Sequence, residues 1–362
     1  MGSHEFMKQP VSDWMKAEGP DSDIVISTRV RLARNITGAP FPMLCTNFQA
    51  LDVFEKVEHA VSSPSLQDLG PFEWLTLNDL DPLEKKALVE KHLISPNFAS
   101  EARHGAVVLS ANESISVMVN EEDHLRIQCL SSGFQLSETF QMASCIDDAM
   151  DSKLEYAFDE KCGYLTSCPT NVGTGMRASV MMHLPALVMM KQINHMVHAV
   201  TQVGLAVRGI YGEGSEALGN LFQISNQITL GQSEEEIIEH LYQVASQLID
   251  HERQARERML QANNPRTIDR IFRSLGILSH AYIIDSKEAL QRLSDVRLGI
   301  DMGYISGLSS GVLKELMVLT QPGFLQVEAG SALSPEERDM HRAQMIRQRL
   351  DQANRESTGK QD

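Results

Sequence analysis

The stretch Asp23-Ile-Val-Ile-Ser-Thr-Arg-Val-Arg-Leu32 alternates with the two-residue period of a β-strand. Ile24, Ile26, Thr28, Val30 and Leu32 fall on one face; Ser27, Arg29 and Arg31 fall on the other. Arginines two apart project side by side, so one face gathers two guanidinium forks. A solvated sheet edge would carry the same pattern.

Downstream, Ile115–Asn120 (ISVMVN) and Leu125–Leu130 (LRIQCL) read as a β-hairpin closed by Glu121, Glu122 and Asp123. Glu122 and Arg126 share parity with Asn120, which puts all three on one side. The segment Cys168-Pro-Thr-Asn-Val-Gly-Thr-Gly-Met-Arg-Ala-Ser179 has Gly173, Gly175 and Ala178 at the GxGxxA spacing of a dinucleotide fingerprint, but Pro169 interrupts the strand that fingerprint requires. A GxxxxGKS/T phosphate loop is absent from the sequence, which argues against a P-loop enzyme. Glycines beside Arg177 let backbone N–H groups approach phosphate oxygens, although a plain tight loop uses the same residues. A second glycine loop, Arg208-Gly-Ile-Tyr-Gly-Glu-Gly-Ser-Glu216, adds Arg208, Glu213 and Glu216; its glycines serve close folding over a ligand or a simple turn.

Taken together, Arg29, Arg31, Arg126, Arg177 and Arg208 offer the planar fork suited to bidentate phosphate contacts. Glu122 and Glu213 stand in adjacent loops, ready to hold a cation. A polyanion and a cationic acceptor are what nucleotide-dependent phosphorylation of a guanidinium needs.

Bulk properties narrow the classes. Met1–Phe6 (MGSHEF) reads as an added leader ahead of Met7. The length suits two domains of about 100–200 residues each, and 42% hydrophobic residues support ordinary cores. No apolar run approaches the roughly 20 residues of a membrane span, and no signal-peptide pattern follows the N-terminus, so a cytoplasmic location is expected. Five cysteines with no CxxC pair argue against a disulfide framework and a zinc site, and no metal ligands are assigned. With 48 acidic against 32 basic residues, the net charge of -16 disfavours nucleic acid and anionic membranes and favours basic partners.

After Gly231 the pattern becomes helical. Ser233 and Glu236 form a capping box ahead of Ile237, Leu241, Val244 and Leu248. Past Ile249 the charged run HERQARERM reads as a solvated or packing helix, and Asn263-Asn264-Pro265 breaks it. Further helical patterns run to Thr320, Pro322-Gly323 reads as another stop, and Ser334-Pro335-Glu336-Glu337 opens a last helix. The tail Ser357–Asp362 reads as disordered.

Four stretches, STRVRLARN (Ser27–Asn35), NEEDHLRI (Asn120–Ile127), CPTNVGTGMRAS (Cys168–Ser179) and RGIYGEGSEALG (Arg208–Gly219), resemble the phosphagen kinases, the arginine and creatine kinase family, over about residues 23–250. Those enzymes carry a helical domain ahead of the STRVR strand, where this sequence has almost nothing before Asp23. A helical extension follows Gln261 that phosphagen kinases lack. In both respects the sequence looks like the bacterial protein-arginine kinases, whose open acceptor side suits a protein substrate.

The resemblance implies an α+β fold: a phosphagen-kinase-like catalytic domain over residues 7–260, built on an antiparallel sheet flanked by helices, and a C-terminal helical dimerisation and regulatory domain over 261–356. It implies a nucleotide site made of Ser27, Thr28, Arg29, Val30, Arg31, His92 and Arg126. Arg177, Ala178, Ser179, Val180, Met181 and the run Arg208, Gly209, Ile210, Tyr211, Gly212, Glu213 complete it. Tyr211 stands where the small-molecule enzymes usually have arginine, and Met181 where they usually have histidine. Without the resemblance, His92 in EKHLIS would be read as helix surface.

Three catalytic roles are assigned on this basis. Glu122 orients one guanidinium nitrogen and accepts its proton. Glu213 grips another edge of the guanidinium, with Glu216 as the alternative. Cys168, as a thiolate, adds a third anionic contact; its other reading is a buried structural thiol. The cofactors implied are ATP and Mg2+, the ion bridging phosphate oxygens. In the last helix Arg338, Asp339 and Arg342 resemble the RDxxRA element, which implies a pocket for phosphoarginine as an allosteric signal, Arg342 meeting the phosphate and Asp339 the guanidinium. A homodimer, a zinc-containing activator protein, and delivery of marked proteins to a Clp-type protease under stress also follow from the resemblance. The competing readings are a free-arginine phosphagen kinase and a silent phosphoarginine-binding adaptor.

Overall fold

The computed structural model describes residues 11–16, 18–209 and 218–358. Its strands, in chain order, are β1 (Val25–Arg34), β2 (Phe72–Thr76), β3 (Ala106–Ser110), β4 (Ile115–Val119), β5 (Leu125–Ser132), β6 (Phe158–Asp159), β7 (Gly163–Tyr164), β8 (Met176–His183), β9 (Leu205–Gly209) and β10 (Leu221–Asn226). Eight of them form one antiparallel sheet in the order β2-β3-β4-β5-β1-β8-β10-β9, while β6 and β7 pair separately.

β1 lies in the middle of the sheet, not at an edge. It pairs with β5 on one side and β8 on the other, which settles the two readings of its arginine face. Thr28, Val30 and Leu32 sit in the core, as the period-two pattern requires. The alternation breaks at one point. A register shift between Val25 and Ser27 buries Ile24 and Val25 together and turns Ile26 to the opposite side, so Ile26 does not share the face of Thr28.

The β4–β5 hairpin forms as the sequence indicates, with Met118 opposite Arg126 and Val119 opposite Leu125. Asn120 departs from the shared-parity expectation. It adopts a left-handed φ of 58°, and its amide donates to the carbonyls of Ala50 (2.9 Å) and His104 (3.2 Å), pointing into the protein.

Helices cover the sheet and continue beyond it. Those used below are α1 (Pro82–Glu90), α2 (Leu136–Asp151), α3 (Pro185–Met189), α4 (Glu234–Ala262), α5 (Pro265–His280), α6 (Ser286–Asp301), α7 (Ser310–Leu319), α8 (Pro322–Ala329) and α9 (Pro335–Thr358). α4 starts at the Ser233–Glu236 capping box, and Ile237, Leu241 and Leu248 pack into the sheet's core. Its charged C-terminal half is a packing face. Glu252 is fully buried and accepts from the backbone N–H groups of Ala186 and Leu187, both at 3.0 Å, capping α3, while Arg256 joins it at 2.9 Å. Asn263 then ends α4 in the left-handed region and Asn264 caps α5.

α5, α6, α7 and α9 enclose a second core around Ile271, Leu293, Leu316 and Ile346. Pro322 does not simply stop a helix; it opens α8 at the first position, where a missing N–H costs nothing. α9 runs through Thr358, two residues into the expected disordered tail. The second core is tied to the sheet by polar contacts. Ser294 of α6 meets His183 Nε2 at 2.8 Å and Asn220 Nδ2 at 2.6 Å, and the Glu90 carboxylate accepts from Gly323 N (2.7 Å) and Phe324 N (3.0 Å).

Candidate active site

Residues opposite one another in an antiparallel pair share a sheet face. The register therefore lays out the site in rows. Arg126 lies opposite Ala33; the next row is Gln128, Arg31 and Arg177; the next holds Arg29 and Ser179; the last holds Ser27, Met181, Gln223 and Arg208. A cavity of about 450 Å³ lies over this face. Ser27, Arg29, Arg31, His92, Arg126, Met181, Arg208 and Gly209 all line it.

The electrostatics are those of a site built for a polyanion. Burial, then Arg126 and Arg177, lower the Arg29 guanidinium to about 10. Burial and the same neighbours push Arg31 well below its ordinary value. Its Nε is buried with no hydrogen-bond partner among the described residues. Clustered cations in a low-dielectric site repel one another until an anion compensates them. Arg29 is oriented by Gln223, whose Oε1 accepts from Nη2 at 3.1 Å.

The hairpin turn separates two carboxylates. Burial pushes the Glu121 carboxyl up, but Arg126 and the Ser95 hydroxyl, donating at 2.6 Å, outweigh it and hold the group below its ordinary value. Arg126 Nη1 hydrogen-bonds Glu121 directly. Glu122 is left with a looser contact, 3.8 Å from Arg126 Nη2, and its side chain is 45% exposed. Burial, with Asp123 and Glu121 beside it, raises the Glu122 carboxyl against the pull of Arg126 and Arg177. A half-open carboxylate with a raised pKa has the properties of a general base.

Asp123 fixes where that base stands. Its Oδ1 accepts from Asn35 Nδ2 and from the Ser167 backbone N–H, both at 2.7 Å. The contact docks the turn carrying Glu122 onto the backbone one residue before Cys168. Cys168 is half-buried, with Sγ 3.0 Å from Thr170 Oγ1.

Strand geometry divides the remaining candidates. Thr28, Val30, Ala178 and Val180 are buried on the face away from the cavity, so their side chains cannot touch a ligand there. Thr28 Oγ1 instead donates to the Gly133 carbonyl at 2.7 Å. Ser179 is also buried, in the row of Arg29. Arg177 stands in the row of Arg31 and its charge reaches Arg29, Arg31 and Glu122. Ile210, Tyr211, Gly212, Glu213 and Glu216 lie outside the described residues. In α9, Arg342 is turned inward. Its Nε donates to Thr320 O and its Nη1 to Ile284 O, both at 2.9 Å, and it also pairs with Asp339. These bonds make it an anchor for the end of α7; Arg338 and Asp339 lie on the more open side of α9.

His92 is the residue whose role only folding shows. It sits just past α1 with a left-handed φ of 61°. Although the side chain is exposed towards the cavity, the surrounding protein, then Arg29, lowers its imidazole to about 4. Its carbonyl accepts from Gln128 Nε2 at 2.8 Å. Gln128, Gln223 and Ser95 escaped the sequence reading; Gln128 alone carried a signal, two positions from Arg126 on one strand. The cavity wall from the C-terminal helices (Leu290, Lys314, Met317, Val318 and Gln321) carried none.

Residues 52–255 match the family model of the ATP:guanido phosphotransferase C-terminal catalytic domain, and residues 265–361 that of the protein-arginine kinase McsB C-terminal domain. The protein-arginine kinase of Halalkalibacterium halodurans is 59% identical over 350 residues, which span 97% of this chain and 98% of that one. That of Bacillus subtilis is 56% identical over 350 residues, 97% of this chain and 96% of its own. Among solved structures, lombricine kinase superposes with a TM-score of 0.57 at 25% identity, covering 71% of this chain and 73% of that one. The duplicated taurocyamine kinase of Schistosoma mansoni gives 0.58 at 25% identity, over 69% of this chain and 35% of that one. Identity and coverage at this level place the chain in the ATP:guanido phosphotransferase family, within the branch of the protein-arginine kinases.

Proposed function

We propose that the protein transfers the γ-phosphoryl group of ATP to arginine side chains of other proteins. The observation that carries this reading is the pairing of a compensation-seeking arginine cluster (Arg29, Arg31, Arg126 and Arg177) with Glu122, a carboxylate that Arg126 leaves largely unclaimed because Glu121 takes its closest contact. The arginines hold the triphosphate and the charge on the transferring group, so catalysis is mainly positioning and electrostatics. An acceptor guanidinium remains protonated in water. Glu122 orients one of its nitrogens in line with the γ-phosphorus. As the N–P bond forms and the bond to the β-phosphate oxygen breaks, Glu122 takes the nitrogen's proton, leaving ADP and a phosphoarginine. Cys168, on the segment docked by Asp123, and Glu213 complete the anionic grip on the acceptor.

Mg2+ belongs to the same proposal as the companion of the triphosphate. Among the described residues there is no group of three His, Cys, Asp or Glu side chains that could hold a metal ion. Such an ion would be held chiefly through the triphosphate, and would supply charge neutralisation there.

The wider setting follows from the branch. The division into a catalytic unit over residues 7–260 and a dimerising, regulatory unit over 261–356 is part of the proposal, as is phosphoarginine sensing by Arg338, Asp339 and Arg342 of α9. So are a zinc-containing activator and marking of stress-damaged proteins for a Clp-type protease. The net charge of -16 supports basic protein partners. Among the described residues, no helix is long and apolar enough to cross a membrane; a cytoplasmic site of action is proposed with the rest.

The test is incubation with ATP and an arginine-rich protein, followed by mass spectrometry under non-acidic conditions. An acid-labile phosphoryl gain on arginine is expected. Fast turnover of free arginine without protein labelling would point instead to a phosphagen kinase, and no transfer at all to an adaptor.

A further inference from the structure

Lys314, on α7, lines the same cavity from the wall opposite the sheet. It is 9% exposed, and its ammonium makes no hydrogen bond or ion pair among the described residues. The stem is largely enclosed, but the ammonium nitrogen is not fully enclosed, so it reaches the open cavity and can donate to an acceptor held there.

The strand register shows which part of a nucleotide Lys314 would meet. From the row of Arg31 and Arg177 to the row of Ser27 and Met181 is four residues, roughly 14 Å at about 3.4 Å per residue. The C-terminal helices join the cavity at the second end. A Cβ on Gly219, two residues before Leu221, would lie 3.1 Å from the carbonyl of Leu290, and both leucines line the cavity. The charges that act on Lys314 are Arg297, Glu18 and Asp301, none of them from the phosphate-binding rows. At this end Met181, Leu221, Met317 and Val318 give the lining apolar surface beside the polar Ser27, Gln223, Arg208 and Gln321. Apolar surface bordered by donors suits a purine, which offers flat apolar faces and ring-nitrogen acceptors on its edge.

We propose that Lys314 is a nucleobase-recognising residue: with ATP bound through its phosphates to the arginine rows, the Lys314 ammonium donates to a ring nitrogen of the adenine. The C-terminal helical region thereby supplies the base wall of the nucleotide site. The inference rests on the nucleotide reading above and specifies which residue selects the base.

Calorimetric titration of ATP and of inorganic tripolyphosphate into the full chain tests it, with Lys314→Met and Lys314→Arg beside the unaltered protein. Hydrogen bonds to charged groups are worth enough to predict an ATP affinity loss of about tenfold or more in Lys314→Met. Tripolyphosphate binding should stay within about twofold, and Lys314→Arg should keep most of the ATP affinity. Unchanged ATP affinity in Lys314→Met, or equal losses for ATP and tripolyphosphate, overturns the proposal. So does a lower melting temperature of ligand-free Lys314→Met, which would make Lys314 a structural anchor. The kinase reading fails separately. If the unaltered protein binds ATP but never labels arginine, base recognition by Lys314 still stands or falls on the titrations; if it binds neither probe, both readings are lost.

Discussion

Glu121 and Glu122 are neighbours in sequence with opposite fates. Glu121 is claimed by Arg126 and Ser95 and held in its ionised form, whereas Glu122 is raised and half-open. Glu122→Gln should therefore lower phosphoryl transfer by about 10²–10⁴, the range of a lost general base, while calorimetric ATP affinity stays within about twofold. Arg126→Ala should weaken ATP binding and transfer together, because it removes a phosphate contact and strands Glu121. Since the base acts only when ionised, transfer should fail on the acid side at a pH above the roughly 4.3 of a free glutamate. Two buried histidines give stability its own pH dependence. His124 and His183 are both depressed, chiefly by burial. His124 must be neutral at Nδ1, which accepts from Ile36 N at 3.0 Å. Below about 6.5 the unfolded chain binds protons that the folded one refuses, so stability is full above that pH and is lost as pH falls below it, by up to about 1.4 kcal/mol per pH unit per histidine. Urea unfolding between pH 8 and pH 5 should show the decline, and His183→Gln should reduce its slope.

Between residues and the whole, β1 illustrates how one strand serves two faces. Arg29 and Arg31 turn to the cavity, while Arg34 at its end turns into the core against Asp147 of α2 at 2.6 Å and lies 3.5 Å over the Tyr164 ring. Arg34 Nη1 also donates to Thr174 O at 2.9 Å, securing the glycine loop that leads into β8. Asp147→Ala would leave the buried Arg34 guanidinium only the longer contact to Glu234, 3.6 Å from Nη2, and a loss of about 3 kcal/mol in urea-unfolding free energy is expected. A change below about 1 kcal/mol would show that solvent reaches Arg34. The arginine motif is thus partly catalytic and partly structural, a division invisible in its letters.

For the molecule as a whole, the decisive contact is between α1 and α8. Glu90 ends the helix that leads to His92, and it caps the N-terminus of α8 in the C-terminal core. A Cβ at position 323 would fall 2.6 Å from Glu90 Oε2. Gly323→Ala should displace that carboxylate and cost about 1–2 kcal/mol of stability, within the usual range for a disrupted cap. Because α7 and α8 adjoin the cavity, ATP should also bind more weakly in this variant. An ordinary melting temperature together with unchanged ATP affinity would show that the two cores are not coupled here.

Much of this was written in local pattern. Strand period placed Arg29 and Arg31 on one face, the hairpin put Glu122 near Arg126, and the Ser233 and Ser334 caps marked helix starts, because each depends on residues a few positions apart. What tertiary structure alone decided rests on contacts between distant segments: β1 lying central in the sheet, Asp123 docking its turn beside Cys168, His92 lining the cavity, Arg342 turned inward, and Lys314 arriving from the C-terminal helices. Periodicity states which residues share a side; it carries no information about which surface that side will meet, since that is set by long-range packing and by where charge is left without a partner.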